Sequence, residues 1–145
     1  MIAIINGPNL NLLGRRQPEI YGNESFENFL SKIRERFPLC PIHYFQSNSE
    51  GEIITEIHRL GYDSPDCAGI IINPGAYSHY SYAIADAISS VPVPVVEVHI
   101  SNIMGREDFR QQSVTAKSCK GMLTGFGLHG YIMALEFLLK DKSSL

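Results

Sequence analysis

The sequence is poor in three features that would each open a class of function. It has only three cysteines, Cys40, Cys67 and Cys119, an odd number with no pair at metal-ligand spacing. A disulfide framework or a cysteine metal site is therefore not expected, and the thiols read as small, buried or half-buried hydrophobes. No run of about 20 apolar residues occurs, so no membrane-spanning helix is expected. Positive charge is not in excess: 12 Lys and Arg face 15 Asp and Glu, for a formal net charge of -3, and this disfavours nucleic acid as a partner. The opening MIAIINGPN lacks the basic flank and long apolar core of a signal peptide. These absences predict a soluble, cytoplasmic protein.

What is present is ordinary globular material, 44% hydrophobic and 19% charged over 145 residues. That length suits one compact domain spanning 1–145. Apolar runs at 2–5, 41–45, 69–72 and 93–98, with a weaker one at 121–124, alternate with helical patterns. Runs that are apolar at nearly every position fit strands covered on both faces, as in parallel sheets. Between them, Ser25 is placed to cap a helix over 26–37, with Phe26, Phe29, Leu30 and Ile33 on one stripe. Further helices are expected at 50–60 (Ile53, Ile54, Ile57, Leu60) and at 81–91 (Ala83, Ile84, Ala87, Ile88). A last one is expected at about 129–139, with Ile132, Leu135, Leu138 and Leu139 inward. Five strands alternating with helices predict a doubly wound α/β fold with right-handed crossovers. Residues 14–24 form the longest stretch without periodicity, polar and carrying Arg15 and Arg16. A mobile lid is the preferred reading of so long a loop, and a passive surface loop is the other.

In open parallel sheets, ligands bind beyond the carboxyl ends of the strands. Polar residues gather at those ends: Asn6, Asn9 and Asn11 after the first, Asn73, Tyr77 and His79 after the third, Glu97, His99 and Ser101 at the fourth, then Arg106 and Arg110. Glu97 and His99, two apart on a strand, point the same way, and a carboxylate beside an imidazole fixes its tautomer and favours its protonated form. Such a pair suits a general acid. Tyr21 closes the arginine-bearing loop, where guanidinium charge would favour its tyrosinate form. Taken singly, each residue also has a bland reading. Tyr21 can be packing, Asn9 and Asn73 turn residues, His79 an ordinary histidine, Arg110 a solvated helix residue and Glu97–His99 a surface pair. Serine chemistry lacks a nucleophile elbow around Ser78 and Ser81. His43, His58 and His129 show no metal-ligand pattern, and the lysines lie away from the polar strand ends, so an imine mechanism has no candidate.

Five stretches together resemble the type II 3-dehydroquinate dehydratase family over nearly the whole chain. They are NGPNLNLLGRRQPEIYG at 6–22, QSNSEGEIITEI at 46–57, IINPGAYSHYS at 71–81, EVHISNIMGREDFR at 97–110 and GFGLHGY at 125–131. The resemblance implies a flavodoxin-like sheet of five parallel strands in the order 2-1-3-4-5, with helices on both faces. It implies anti elimination of water from 3-dehydroquinate, giving 3-dehydroshikimate through an enolate, with no cofactor and no metal. In that family pattern Tyr21 matches the base and Arg16 the lid arginine that favours tyrosinate. Asn9 matches a residue holding water against the enolate, His99 the acid and Glu97 the carboxylate that orients it. Asn73, the backbone of Ile100 and Ser101 match the substrate-carboxylate grip, and His79 and Arg110 the grip on ring hydroxyls. Asp86 matches an aspartate reaching a neighbouring subunit's site, within an expected homododecamer of trimers. Arg106 belongs to the same region without a definite role. Gln17 stands where glutamate is frequent, and Met104-Gly105 where a polar or alanine-containing pair is common.

Two rivals share the architecture. A flavin carrier would need a short Ser/Thr/Gly-rich phosphate loop after the first strand, where this chain has a long Asn/Arg/Tyr loop. A receiver module would need acidic residues where Asn6, Asn9 and Asn73 stand. An inactive assembly scaffold of the same family is the third reading, and the presence of the matched chemical residues argues against it.

Overall fold

The computed structural model describes residues 1–21 and 23–140, with Tyr21 described by its backbone alone. Five strands, β1 (Ile2–Asn6), β2 (Ile42–Gln46), β3 (Gly69–Asn73), β4 (Val95–His99) and β5 (Gly121–Thr124), form one sheet in the order β2-β1-β3-β4-β5. Every neighbouring pair is parallel. This is the flavodoxin-like arrangement that the alternation and the resemblance predict. The helices are α1 (Pro18–Tyr21), α2 (Phe26–Arg36), α3 (Glu50–Tyr62), α4 (Tyr82–Ser90) and α5 (His129–Leu139).

The two-residue period of each strand divides the apolar residues between two cores. Ile2, Ile4, Ile71, Val96 and Val98 pack with Phe26, Phe29, Leu30 and Ile33 of α2 and with Tyr131, Ala134 and Leu135 of α5. Ala3, Ile5, Ile70, Ile72 and Val95 pack with Ile53, Ile57 and Leu60 of α3 and with Ile84, Ala87 and Ile88 of α4. A strand covered on both faces has no use for a polar side chain until its end, which is why β1 and β3 read as unbroken apolar runs ending in Asn6 and Asn73.

Serine caps start three of the helices. Ser25, Ser49 and Ser81 accept from the backbone N–H groups of Asn28, Glu52 and Ile84 at 3.2, 3.3 and 3.0 Å. Two inward positions differ from the sequence reading. Ala83 is exposed on α4 and Ala85 takes its place in the packed face, while Leu139 at the end of α5 is exposed and Tyr131 and Ala134 are buried instead. Ala83 lies in the first turn of α4 and Leu139 in the last turn of α5, and a hydrophobic stripe read at ideal spacing does not register where the packed surface beneath a helix ends. The valine-rich run also pairs later than expected, from Val95 instead of Val93. Residues 14–24 are not a bare loop. Gly14 (φ 89°) and Gln17 (φ 44°) turn the chain in the left-handed region, and the one-turn α1 follows.

Candidate active site

The carboxyl ends of β1, β3 and β4 lie side by side because the ladder pairs Asn6 with Asn73 and Ile72 with Glu97. The loops leaving β1 and β3 are in close contact. Gly7 N–H donates to the Asn73 carbonyl at 2.8 Å, and a β-carbon at Gly7 would sit 2.6 Å from the Pro74 carbonyl oxygen. Gly75 is in the left-handed region (φ 60°) against Pro8. Only glycine permits this approach at Gly7 and this turn at Gly75. Asn9 is also left-handed (φ 69°), a conformation asparagine tolerates better than most residues. Its N–H donates to Asn48 Oδ1 at 3.0 Å, which ties the loop after β1 to the loop after β2.

Above these strand ends opens a cavity of about 110 Å³. Its lining includes Asn9 and Arg16 from the first loop, Asn73 and His79 from the third, and His99, Ile100, Ser101, Arg106 and Arg110 from the fourth. Of the residues singled out in the sequence, those nine converge here. Glu97 lies beneath His99. Asp86 does not join them: it is exposed on α4 and lines no part of the cavity. Tyr21 lies, by its side chain, outside the described residues.

Glu97 is fully buried and His99 is only 6% exposed, which separates them from a surface ion pair. His99 Nε2 lies 2.8 Å from Glu97 Oε2. With the carboxylate as acceptor, Nε2 carries a proton and Nδ1 is the ring nitrogen left for other work. Ser113 Oγ donates to Glu97 Oε2 at 2.6 Å, and Thr115 Oγ1 donates to Glu97 Oε1. Every charge-bearing oxygen of this buried group is therefore hydrogen-bonded, as burial of a carboxylate requires.

The His79 ring stacks 6.4 Å from that of His99, at 21° between planes. His79 Nδ1 contacts the Gln112 carbonyl at 2.8 Å, and since a carbonyl only accepts, Nδ1 holds the hydrogen. Burial lowers the His79 pKa below its ordinary 6.5, so at neutral pH this ring is neutral and its Nε2 is an acceptor. Arg110 donates through Nε to Glu107 at 2.8 Å and lies 4.7 Å over the Phe109 ring, which holds the guanidinium in place. Arg106 Nη1 reaches Ser101 Oγ at 3.5 Å.

Asn73 is oriented from two sides. Its Oδ1 accepts from Gly75 N–H at 3.1 Å, and its Nδ2 donates to the Tyr131 hydroxyl at 3.0 Å. The amide orientation is thereby fixed, and the donor end carries a second N–H. Tyr131 donates in turn to Asn6 Oδ1 at 2.8 Å, and Asn6 Nδ2 lies 3.4 Å from the Tyr44 hydroxyl. Burial pushes the Tyr131 phenol far up, so it stays neutral, and likewise raises Tyr44 to about 12. Sequence reasoning assigned no role to Tyr131, Ser113 or Thr115. Tyr131 had a signal, since it ends the GFGLHGY stretch. The other two had a weaker one: hydroxyl residues two apart just after Arg110, the same spacing as Glu97 and His99.

Residues 1–139 match the dehydroquinase class II family. The chain belongs to this family. Among class II dehydroquinases and their relatives, the 3-dehydroquinate dehydratase of Clostridium botulinum (strain Okra / Type B1) is 54% identical over 142 residues, covering 97% of this chain and 95% of that one. The type II dehydroquinase of Butyrivibrio crossotus DSM 2876 superposes with a TM-score of 0.89 at 49% identity, covering 96% of this chain and 97% of that one. That of Propionibacterium acnes gives a TM-score of 0.90 at 41% identity, covering 97% and 96%. Family membership removes the flavin carrier and the receiver module. Among the described residues no cluster of three or more His, Cys, Asp or Glu is placed to hold a metal ion, and no helix is long and apolar enough to cross a membrane.

Proposed function

We propose that the cavity takes 3-dehydroquinate and eliminates water from it by the type II route, acting as a hydro-lyase that forms 3-dehydroshikimate. The observation that carries this is the buried His99–Glu97 pair at the floor of a cavity lined by arginine, asparagine and histidine, in a chain of the class II dehydroquinase family. Tyr21 removes the proton next to the ketone. Arg16, on the cavity wall, supplies the positive charge that favours tyrosinate. The resulting enolate needs preorganised donors, and Asn9 serves it through a held water. As the enolate collapses, the carbon–oxygen bond of the departing hydroxyl breaks and His99 delivers the proton that makes it water. Glu97 holds the ring for that transfer.

The substrate carboxylate is held by Asn73 Nδ2–H, the backbone N–H of Ile100 and the Ser101 hydroxyl. Ring hydroxyls meet His79 Nε2, an acceptor, and the Arg110 guanidinium, a donor. The segment 14–24 acts as the lid that brings Arg16 and Tyr21 over the substrate. Asp86, exposed on α4, fits a contribution to a neighbouring subunit's site in a homododecamer of trimers. The protein works in the cytoplasm as one catalytic domain spanning 1–145, on a small molecule and without cofactor.

The test is turnover of 3-dehydroquinate, followed by the enone absorbance of the product, for wild type and Tyr21→Phe side by side. Activity that survives borohydride in the presence of substrate and collapses in Tyr21→Phe supports an imine-free tyrosinate mechanism. No turnover by the folded wild type overturns the assignment in favour of an inactive scaffold.

A further inference from the structure

Glu97 has no exposed surface, yet three side chains converge on its two oxygens. Two of them come from the segment between Arg110 and β5. This segment is pinned at Val114, whose N–H donates to the Ser78 carbonyl at 2.7 Å, and at Lys120, whose N–H donates to the Val95 carbonyl at 2.7 Å. Ser113 and Thr115 flank the Val114 anchor, just before the short helix at Ala116–Ser118, and both hydroxyls reach Glu97. Ser113 Oγ accepts from the Ala116 N–H at 3.1 Å, which occupies a lone pair and leaves its proton to be given away. The two hydroxyl oxygens are 3.1 Å apart, close enough to bond each other. If Thr115 gave its proton to Ser113, Glu97 Oε1 would be an unpaired buried acceptor; if Ser113 gave its proton to Thr115, Oε2 would keep His99 Nε2 as its donor. Each hydroxyl is within donating distance of its own oxygen of Glu97, Ser113 of Oε2 and Thr115 of Oε1.

We propose that Ser113 and Thr115 are positioning residues of the elimination, clamping both oxygens of Glu97 so that the carboxylate is held in one rotation as the acceptor of the His99 Nε2 proton. This rests on the reading of His99 as the acid. A carboxylate held by His99 alone is free to turn about its last torsion, a soft twofold rotor. Turning moves the imidazole with it and misplaces the proton that the departing hydroxyl requires. The substrate grips lie elsewhere on the cavity wall, so the loss falls on turnover and not on binding.

The experiment compares steady-state kinetics on 3-dehydroquinate for wild type, Ser113→Ala, Thr115→Val, Ser113→Thr and Thr115→Ser, with folding checked by circular dichroism. Removing either hydroxyl lowers kcat by about ten- to a hundredfold with KM within about twofold, and the variants that keep a hydroxyl stay within about threefold of wild type. Hydroxyl-free variants that turn over like wild type, or whose loss lies in KM, overturn the inference. So does an equal loss in the hydroxyl-keeping variants, which would mark a packing role. If Thr115→Val, at a fully buried position, fails to fold, Ser113→Ala at its half-buried position decides alone. A wild type without turnover overturns the underlying reading; an active wild type with unimpaired variants overturns only this one.

Discussion

Asn73 and Tyr131 are 58 residues apart in sequence and joined by a buried hydrogen bond of 3.0 Å, the amide donating to the phenol. The same phenol donates to Asn6, so one hydroxyl on α5 ties together the carboxyl ends of β1 and β3. Tyr131→Phe removes both bonds and leaves Asn6 Oδ1 and one Asn73 N–H unpaired in a dry environment. The expected result is a loss of about 1–3 kcal/mol in stability. If Asn73 grips the substrate carboxylate, KM also rises by about tenfold while kcat changes less, because the amide is then held from the Gly75 side alone. Chemical denaturation and steady-state kinetics check the two parts separately.

Glu97→Gln keeps the shape of the group and replaces one acceptor oxygen with a donor. That donor then faces a hydroxyl or the His99 N–H, each of which already donates. The expected outcome is a fall in kcat of about a hundred- to a thousandfold with little change in KM. A kcat near wild type would remove Glu97 from the mechanism.

Gly7→Ala places a methyl group 2.6 Å from a backbone carbonyl oxygen that no side-chain motion can relieve. The loops after β1 and β3 must part to admit it. A loss of about 1–3 kcal/mol in stability is expected, as for other overpacking substitutions, with weakened turnover because Asn9 and Asn73 flank the displaced contact. Thermal melts and activity at a temperature where the variant is folded test this together.

How much of this was legible in the sequence follows the reach of the interactions involved. The strands and the serine-capped helices could be read because runs such as 69–72 and caps such as Ser25 and Ser81 act within a few residues. The convergence of Asn9, Asn73, His79 and His99 could be read because parallel topology places all strand ends on one edge. The roles of Tyr131, Ser113 and Thr115 could not be read from their faint local signals, since their partners lie on other elements and spacing alone does not distinguish an inward hydroxyl from a solvated one. Ala83 and Leu139 failed for the related reason that helical spacing gives a stripe but not the edge of the surface beneath it.

Away from the cavity, Glu56 on α3 is buried between His43 and Arg59, at 2.9 Å from His43 Nε2 and 3.0 Å from Arg59 Nε. Burial opposes its ionisation, but the hydrogen bonds from Arg59 and His43 outweigh that and hold its pKa below the ordinary 4.5. A carboxyl group depressed on folding contributes stability that is present in full above 4.5 and is lost as pH falls through the lower folded value. Glu56→Gln is therefore expected to be less stable than wild type at neutral pH and to converge with it in acid. Denaturation midpoints measured from pH 7 down to pH 3 test this; parallel curves would show that the cluster contributes no pH dependence.

The ladder that sets Ile72 beside Glu97 also sets which face of β4 carries Glu97 and His99. A slip of one residue would send that pair toward α2 and α5, and Val96 and Val98 the other way, because the strand period is two. Recovered activity after refolding thus reports more than compactness. A chain that has collapsed with β4 out of register can be helical, dense and soluble while remaining inert, so the ratio of activity to ellipticity counts the molecules that found the right pairing.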